Sequence, residues 1–178
     1  MQLKSIITVS VITVLLIASS SSIAAPKVGD KALNFSLQDQ NNITHTLSDY
    51  EGQWVVLYFY PKDDTPGCTT QACDFRDAVK RIIVSKAVVF GLSLDSVASH
   101  KLFAEKYNLP FSLLADETGE VSKLYDSLHW LKSYSKRNTF IVNPKGNIAK
   151  IYLSVDPKTH SEMVLSDLSS LQKAYGKP

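Results

Sequence analysis

The sequence predicts an α/β fold in which a central mixed sheet is flanked by helices and preceded by a short N-terminal β-hairpin. Three apolar, β-rich runs, at residues 55–60, 88–94 and 139–142, indicate strands that are buried on both faces. Apolar residues recur at helical spacing between these runs, with Ala98 and Leu102 among them, and again over residues 164–175. Strands that alternate with amphipathic helices are typical of one layered domain with helices on both faces of its sheet.

Local motifs predict the remaining elements. The polar stretch QDQNN separates residues 35–37 from residues 43–46 and predicts a two-stranded edge hairpin. The turn sequence NPKG at residues 143–146 predicts that residues 147–155 return as the next strand. The sequence THSE at residues 159–162 fits a capping box that opens the last helix.

Residues 1–24 predict a secretory signal peptide. They begin with a basic stretch at Lys4, continue with an apolar run over residues 6–18 and end in small residues. An uncleaved membrane anchor is the competing interpretation, but three hydroxyl-bearing residues interrupt the run, which is too short to span a bilayer. We therefore expect an exported protein, periplasmic or secreted, with cleavage after Ala24 and one domain over residues 25–178.

The charge balance argues against partners that require a strongly charged surface. The chain of 178 residues carries 19 basic and 17 acidic side chains, for a formal net charge of +2. This near-neutral balance predicts no nucleic-acid partner and, once the signal segment is removed, no membrane partner. The predicted mature chain is long enough for one domain with a sizeable core.

Both cysteines lie in the stretch YPKDDTPGCTTQAC, residues 60–73. Thr65 and Pro66 are typical of the cap and the first position of a helix, which places Cys68 in the first helical turn. Unpaired amides and the positive end of the helix dipole favour an ionised thiolate at that position. Helical spacing also puts Cys68 on the same face as Phe75, so we expect a reactive sulfur that is sheltered against the core.

The spacing of the two cysteines separates the possible uses of the pair. A helix between Cys68 and Cys73 would hold their Cα atoms roughly 8 to 9 Å apart, beyond the ~7 Å within which a disulfide forms. A permanent bridge is therefore disfavoured, as is a metal site, because the four histidines are scattered without paired ligand spacing. The gap also differs from the Cys-x-x-Cys of thioredoxin-type proteins. An exported thiol–disulfide exchange protein and a non-catalytic domain with a structural disulfide stay open as alternatives to a peroxidase.

Pro61, Thr65 and Cys68 match the Pro-x-x-x-Thr-x-x-Cys signature of the peroxiredoxins. The surrounding sequence resembles their bacterioferritin-comigratory, or peroxiredoxin Q, subfamily from about residue 28 to about residue 171, through GLSLD at residues 91–95 and RNTFIVNPKG at residues 137–146. The resemblance implies a thioredoxin-like fold and a monomeric thiol peroxidase without metal or organic cofactor. It implies hydrogen peroxide and alkyl hydroperoxides as substrates and an external dithiol, such as a thioredoxin-like protein, as reductant.

Residue by residue, the resemblance implies that Cys68 is the peroxidatic cysteine and Cys73 the resolving one, joined in turn by an intramolecular disulfide. Thr65 and Pro61 would complete the pocket, with the Thr65 hydroxyl bonded to the sulfur and the peroxide. Arg137, just before a predicted strand, matches the active-site arginine of the family. The neighbouring Lys136 is a second candidate cation, but a planar guanidinium is better suited to two acceptors.

One segment departs from the subfamily. Residues 122–136, SKLYDSLHWLKSYSK, are shorter than the usual glycine-rich segment and contain Trp130 and Tyr134. Because this segment leads directly into Arg137, we expect the local pocket wall and the surface that meets the reductant to differ there from those of typical members.

Overall fold

The structure is a computed structural model that describes residues 24–84, 86–131 and 133–176. The predicted signal peptide lies outside the described residues except for Ala24, and its cleavage stays a prediction. Among the described helices, none is long and apolar enough to cross a bilayer.

Five strands form one mixed sheet. They are β3 (Trp54–Phe59), β4 (Ala87–Ser93), β5 (Ser112–Ala115), β6 (Thr139–Val142) and β7 (Ile148–Tyr152), in the spatial order β5-β4-β3-β6-β7. Strand β4 pairs in parallel with both β3 and β5, whereas β6 runs antiparallel to β3 and to β7. All six residues of β3 are buried, as expected for the central strand of a sheet covered on both faces. The predicted strands and the 143–146 hairpin turn are confirmed.

A two-stranded hairpin precedes the sheet. Strands β1 (Ser36–Gln38) and β2 (Thr44–Thr46) pair antiparallel and lead into a 3₁₀ turn at Leu47–Tyr50. An isolated bridge between Asp39 and Leu114 ties the hairpin to β5. The predicted edge hairpin is therefore confirmed.

Helices cover the two faces of the sheet unequally. The helices are α1 (Pro66–Val84), α2 (Val97–Tyr107), α3 (Glu120–Leu124) and α4 (His160–Tyr175). One apolar cluster joins α1, α2 and α4 to one face, and a second joins the hairpin, the 3₁₀ turn and α3 to the other. The predicted α/β class, with a mixed sheet flanked by helices, is confirmed.

Two local predictions are wrong. The last helix begins after Thr159, but Thr159 makes no side-chain capping hydrogen bond, and Glu162 pairs with Arg81 of α1, so the capping box does not form. In α2, Leu102 is 69 % exposed, although its spacing from Ala98 suggested a buried position. The helix instead buries His100 and Phe103, since the polar ring is accommodated by a buried hydrogen bond.

The sheet topology brings two distant parts of the chain to the same edge. Strand β3 ends at Phe59 and the chain then turns into α1, while β6 begins at Thr139 and runs in the opposite direction beside β3. Because Tyr58 pairs with Thr139, the end of β3 lies next to the start of β6. Residues just after β3 and residues just before β6 therefore meet.

Candidate active site

Cys68 lies in the first turn of α1 and is 2 % exposed. The amide of Thr69 donates to the carbonyl oxygen of Thr65 at 2.8 Å, which closes the first helical turn around the cysteine. The side chain belongs to the same buried cluster as Ala72 and Phe75. The predicted helix start and the predicted shelter of the sulfur are both confirmed.

The Arg137 guanidinium reaches the sulfur from the other side of the site. Its Nη2 donates to Cys68 Sγ at 3.3 Å, and its Nη1 donates to Gln71 Oε1 at 2.8 Å. Lys136 is directed elsewhere, because its Nζ pairs with the Asp126 carboxylate at 3.2 Å. Of the two cations considered, Arg137 is the one at the cysteine.

A glycine makes this approach possible. A Cβ atom added to Gly67 would lie 2.9 Å from Arg137 Nη2, closer than real Cβ atoms come to their neighbours. The guanidinium therefore occupies the space that any other residue before Cys68 would fill.

Two buried side chains of the site carried no recognisable signal in the sequence. Gln71 lies one turn after Cys68, and its Nε2 contacts His160 Nδ1 at 2.9 Å. Both side chains are almost completely buried. Burial lowers the pKa of His160 to about 4, and the positive charge of Arg137 adds to the effect. The sequence contains four histidines and gives no reason to select His160, because its hydrogen-bond partner Gln71 lies 89 residues away.

The loop between β3 and α1 places Pro61 and Thr65. Pro61 follows the last buried residue of the strand region and is half-buried. The Thr65 hydroxyl donates to the carbonyl oxygen of Lys62 at 3.0 Å. A hydroxyl has one hydrogen, so in this state Thr65 can accept a hydrogen bond but cannot donate one to the sulfur or to a peroxide. The expected bond from Thr65 to the sulfur is therefore replaced by a bond within the loop.

A buried carboxylate holds the same loop against α2. Asp63 is buried, and its oxygens contact three groups at 2.7 to 2.9 Å: Tyr60 Oη, Ser99 Oγ and His100 Nδ1. Its backbone amide donates to Asp95 at 2.9 Å. The site thus rests on a loop that is fixed by a polar network. Sequence patterns did not reveal this network because its members come from two stretches of the chain, residues 60–63 and 95–100, and Asp63 and Asp95 are 32 residues apart.

Aromatic rings pack in the same buried apolar cluster as the cysteine. Tyr58 stacks on Phe75 with ring centroids 4.8 Å apart and on Tyr60 at 5.5 Å. Burial, followed by the charge of Asp63, raises the pKa of Tyr58 well above its ordinary value, so its hydroxyl stays protonated. Gly91 on the paired strand leaves room for this ring, because an added Cβ would lie 2.7 Å from Tyr58 Oη.

Cys73 is partly exposed on the same helix, and both cysteines are free thiols. Helix α1 is continuous from Pro66 to Val84, so it encloses both residues. In a regular helix a spacing of five residues keeps the Cα atoms too far apart for a disulfide. The pair can bond only after part of α1 unwinds.

The short segment before Arg137 folds against α3. The hydroxyls of Ser122 and Ser135 are hydrogen-bonded at 2.8 Å and are buried. His129 stacks on Tyr134 with ring centroids 4.3 Å apart, and Trp130 between them is 78 % exposed. The described part of this segment therefore combines an exposed turn at Trp130 with a buried contact to α3.

A buried thiol in the first turn of a helix, a guanidinium donating to its sulfur and a five-stranded mixed sheet together define a thiol-based enzyme with a thioredoxin-like fold. The profile of the AhpC/TSA family matches residues 28–151, and the chain belongs to that family. It is a peroxiredoxin, and peroxiredoxins are thiol peroxidases that act on peroxides.

Curated relatives match most of the chain. Peroxiredoxin Bcp of Bacillus subtilis is 39 % identical over 153 residues, which cover 83 % of this chain and 98 % of the relative. The chloroplastic peroxiredoxin Q of Triticum aestivum is 42 % identical over 158 residues, which cover 86 % and 73 %. Among solved structures, PrxQ from Xylella fastidiosa aligns with a TM-score of 0.78 at 33 % identity, over 86 % of this chain and 99 % of that one. The expected family and fold are thus confirmed.

Proposed function

We propose that the protein is a two-cysteine thiol peroxidase that reduces hydrogen peroxide and organic hydroperoxides with Cys68 and recycles itself through Cys73. In the first step the Cys68 thiolate attacks one peroxide oxygen, the O–O bond breaks, and water or an alcohol leaves after taking up a proton. The sulfur is oxidised to a sulfenic acid and the peroxide is reduced. The Cys73 thiol then attacks that sulfur, forming a disulfide and releasing water.

The observation that carries the proposal is the contact between Arg137 Nη2 and the buried Cys68 sulfur at 3.3 Å. A cation in this position stabilises a thiolate and can also bind the oxygen that gains negative charge as the peroxide bond breaks. Ionising a cysteine thiol at neutral pH accelerates its reactions by only about 30-fold at most, and a less basic sulfur is a weaker nucleophile. We infer that alignment of the peroxide by Arg137 and the first-turn amides supplies the larger share.

Titration of the reduced protein with hydrogen peroxide tests the reaction. We expect rapid loss of two thiols per peroxide and a new intramolecular disulfide, detected by alkylation and mass spectrometry. The Cys68→Ser variant should lose peroxide consumption, because the Arg137 guanidinium is directed at Cys68 and Gln71 rather than at Cys73. Substantial peroxide consumption by this variant would contradict the assignment of Cys68.

An external dithiol is required to close the cycle. We propose a thioredoxin-like reductant, because exchange begins with a thiolate attacking the Cys68–Cys73 disulfide and ends with both cysteines reduced. Half-buried Cys73, with its partner released from the helix, would be the accessible side of that disulfide. Sustained peroxide turnover with purified candidate dithiol proteins identifies the donor, and turnover with monothiols alone would argue against a protein dithiol.

We further propose that the enzyme is exported to the periplasm or secreted and acts as a monomer. The support for export is the amino-terminal sequence, with its basic start, apolar run and small-residue exit. Expression of the full chain in a Gram-negative host, followed by fractionation and amino-terminal sequencing, should give a soluble product that begins at Ala25. A product that keeps residues 1–24 in the membrane fraction would show an anchor instead. Sedimentation of the mature chain tests the monomer.

A further inference from the structure

A line of polar contacts runs from the last helix to the cysteine. His160, the first residue of α4, meets Gln71 at 2.9 Å; Gln71 accepts from Arg137 at 2.8 Å; and Arg137 donates to Cys68 Sγ at 3.3 Å. Every member is buried or half-buried. The carboxyl-terminal helix is therefore connected to the sulfur through three hydrogen bonds.

The chemistry of the groups fixes the direction of each bond. A guanidinium only donates, so the Gln71 oxygen must face Arg137 and the Gln71 amide nitrogen must face His160. That nitrogen also only donates, so His160 Nδ1 must be an unprotonated acceptor and the proton of a neutral ring must sit on Nε2. His160 Nε2 is buried without a hydrogen-bond partner among the described residues. Burial also lowers the pKa of His160 to about 4, in agreement with a neutral ring.

The surroundings of His160 hold the ring in one orientation. It packs edge-on against Phe75 of α1, with centroids 5.1 Å apart, and against Tyr152 of β7, at 5.9 Å. The Tyr152 hydroxyl in turn donates to Asp167 of α4 at 2.6 Å. Arg137 is linked to the ring through Gln71, and Asp167 is bonded to Tyr152, which packs against the ring. The contacts with Phe75 and Tyr152 thus keep the acceptor Nδ1 of His160 directed at Gln71.

We propose that His160 is a positioning residue, which through Gln71 holds the Arg137 guanidinium on the Cys68 sulfur and holds the first two turns of α1 in the helical state. The inference rests on the proposed peroxidase function of Cys68. His160 does not touch the sulfur. Its effect is exerted through the orientation of the Gln71 amide, which would otherwise be held by its bond to Arg137 alone.

The position of Gln71 between the two cysteines couples this line to the second half of the cycle. The unwinding that brings Cys73 to Cys68 must move Gln71 and so must break its bond to His160. An intact bond therefore favours the helical state, in which a sulfenic acid on Cys68 stays exposed to a second peroxide. A broken bond favours unwinding and disulfide formation. His160 should accordingly raise both the rate of peroxide reduction and the tendency of Cys68 to over-oxidise to sulfinic acid.

Two substitutions at one position separate positioning from packing. His160→Asn keeps an acceptor oxygen near the place of Nδ1, whereas His160→Leu fills the space without an acceptor. We expect the leucine variant to react with hydrogen peroxide roughly tenfold more slowly in stopped-flow assays, since small displacements of a catalytic group lower rates steeply. The asparagine variant should stay within about threefold of the parent protein, because the Gln71 bond is retained.

A second readout and a matched control complete the test. At a fixed excess of peroxide, mass spectrometry should find less sulfinic acid on Cys68 in His160→Leu than in the parent. Val164→Ala, one turn further along α4, removes buried apolar contacts without touching the polar line. It should lower the melting temperature but leave both the rate and the sulfinic fraction at parental values.

The outcomes distinguish this proposal from the proposed function. If the parent and Val164→Ala consume peroxide through Cys68 while His160→Leu equals them in rate and over-oxidation, the positioning role is refuted and the peroxidase stands. Equal losses in His160→Asn and His160→Leu would also refute it. If the leucine variant does not fold, His160→Gln replaces it, because its longer side chain moves the acceptor away from Nδ1; rates equal to those of His160→Asn would then overturn the proposal.

Discussion

Substitution of Arg137 by lysine tests the geometry of the site most directly. The guanidinium makes two hydrogen bonds at once, from Nη1 to Gln71 at 2.8 Å and from Nη2 to Cys68 Sγ at 3.3 Å. A lysine ammonium carries the same charge but on a single nitrogen at the end of a flexible chain. It can donate to the Cys68 sulfur or to Gln71 in a fixed geometry, but it cannot donate to both from one plane as a guanidinium does.

The magnitude follows from the bond that is lost. A hydrogen bond to a charged group contributes about 1.5 to 3 kcal/mol. At about 1.4 kcal/mol per factor of ten, loss of one such bond from the transition state slows the reaction roughly 10- to 150-fold. Arg137→Gln removes the charge as well and should be slower still.

Single-turnover stopped-flow measurement of peroxide consumption by the reduced protein is the appropriate assay, because it isolates the first chemical step from recycling. Lys136→Ala is the matched control: Lys136 is the adjacent cation but pairs with Asp126, so its removal should leave the rate unchanged. A rate for Arg137→Lys within twofold of the parent would refute the argument that the fork matters. A large loss in Lys136→Ala would show that the wrong cation had been chosen.

The remaining predictions concern the helix that carries both cysteines. Cys73→Ser should still consume one equivalent of peroxide and then accumulate sulfinic acid on Cys68, and the absence of any oxidised adduct in mass spectra would contradict the cycle. Gly67→Ala should slow the peroxide step roughly tenfold, because its Cβ would lie 2.9 Å from Arg137 Nη2 and displace the guanidinium; an unchanged stopped-flow rate would show that the guanidinium moves without penalty. The pKa of His160 is lowered to about 4 from 6.5. The contribution of the neutral ring to the free energy of unfolding should therefore be fully present above pH 6.5, and it should fall by about 3 kcal/mol as the pH drops towards 4. Urea unfolding of the parent and of His160→Asn should show this loss in the parent only, and parallel pH curves would argue against a buried neutral ring.

The central elements of the fold could be predicted from the local sequence, because their buried positions are occupied by apolar residues at a regular spacing. The run that became β3 is apolar throughout, and the hairpin and the 143–146 turn carry their own turn residues. Elements that depend on a competing partner could not be predicted in the same way. The THSE motif has the composition of a capping box, yet Glu162 is engaged by Arg81 from another helix.

The surroundings of the cysteine show the same division. Thr65, Pro66 and Cys68 are adjacent in the chain, so the sequence by itself placed a cysteine in the first turn of a helix, and the peroxiredoxin signature followed from those residues. The orientation of the Thr65 hydroxyl could not be predicted, because its acceptor is a loop carbonyl whose position depends on the anchoring of Asp63 to α2.

The sequence determined that a sheltered thiol would lie at a helix start and that its neighbour Cys73 would be out of reach while the helix persisted. Only the tertiary structure decided which side chains stand around that thiol. Arg137 was expected from resemblance alone, and Gln71 and His160 were not expected at all. The reason is physical: β6 runs antiparallel beside β3, and α4 packs on α1, so groups 66 and 89 residues apart become hydrogen-bond partners through contacts that no local periodicity records.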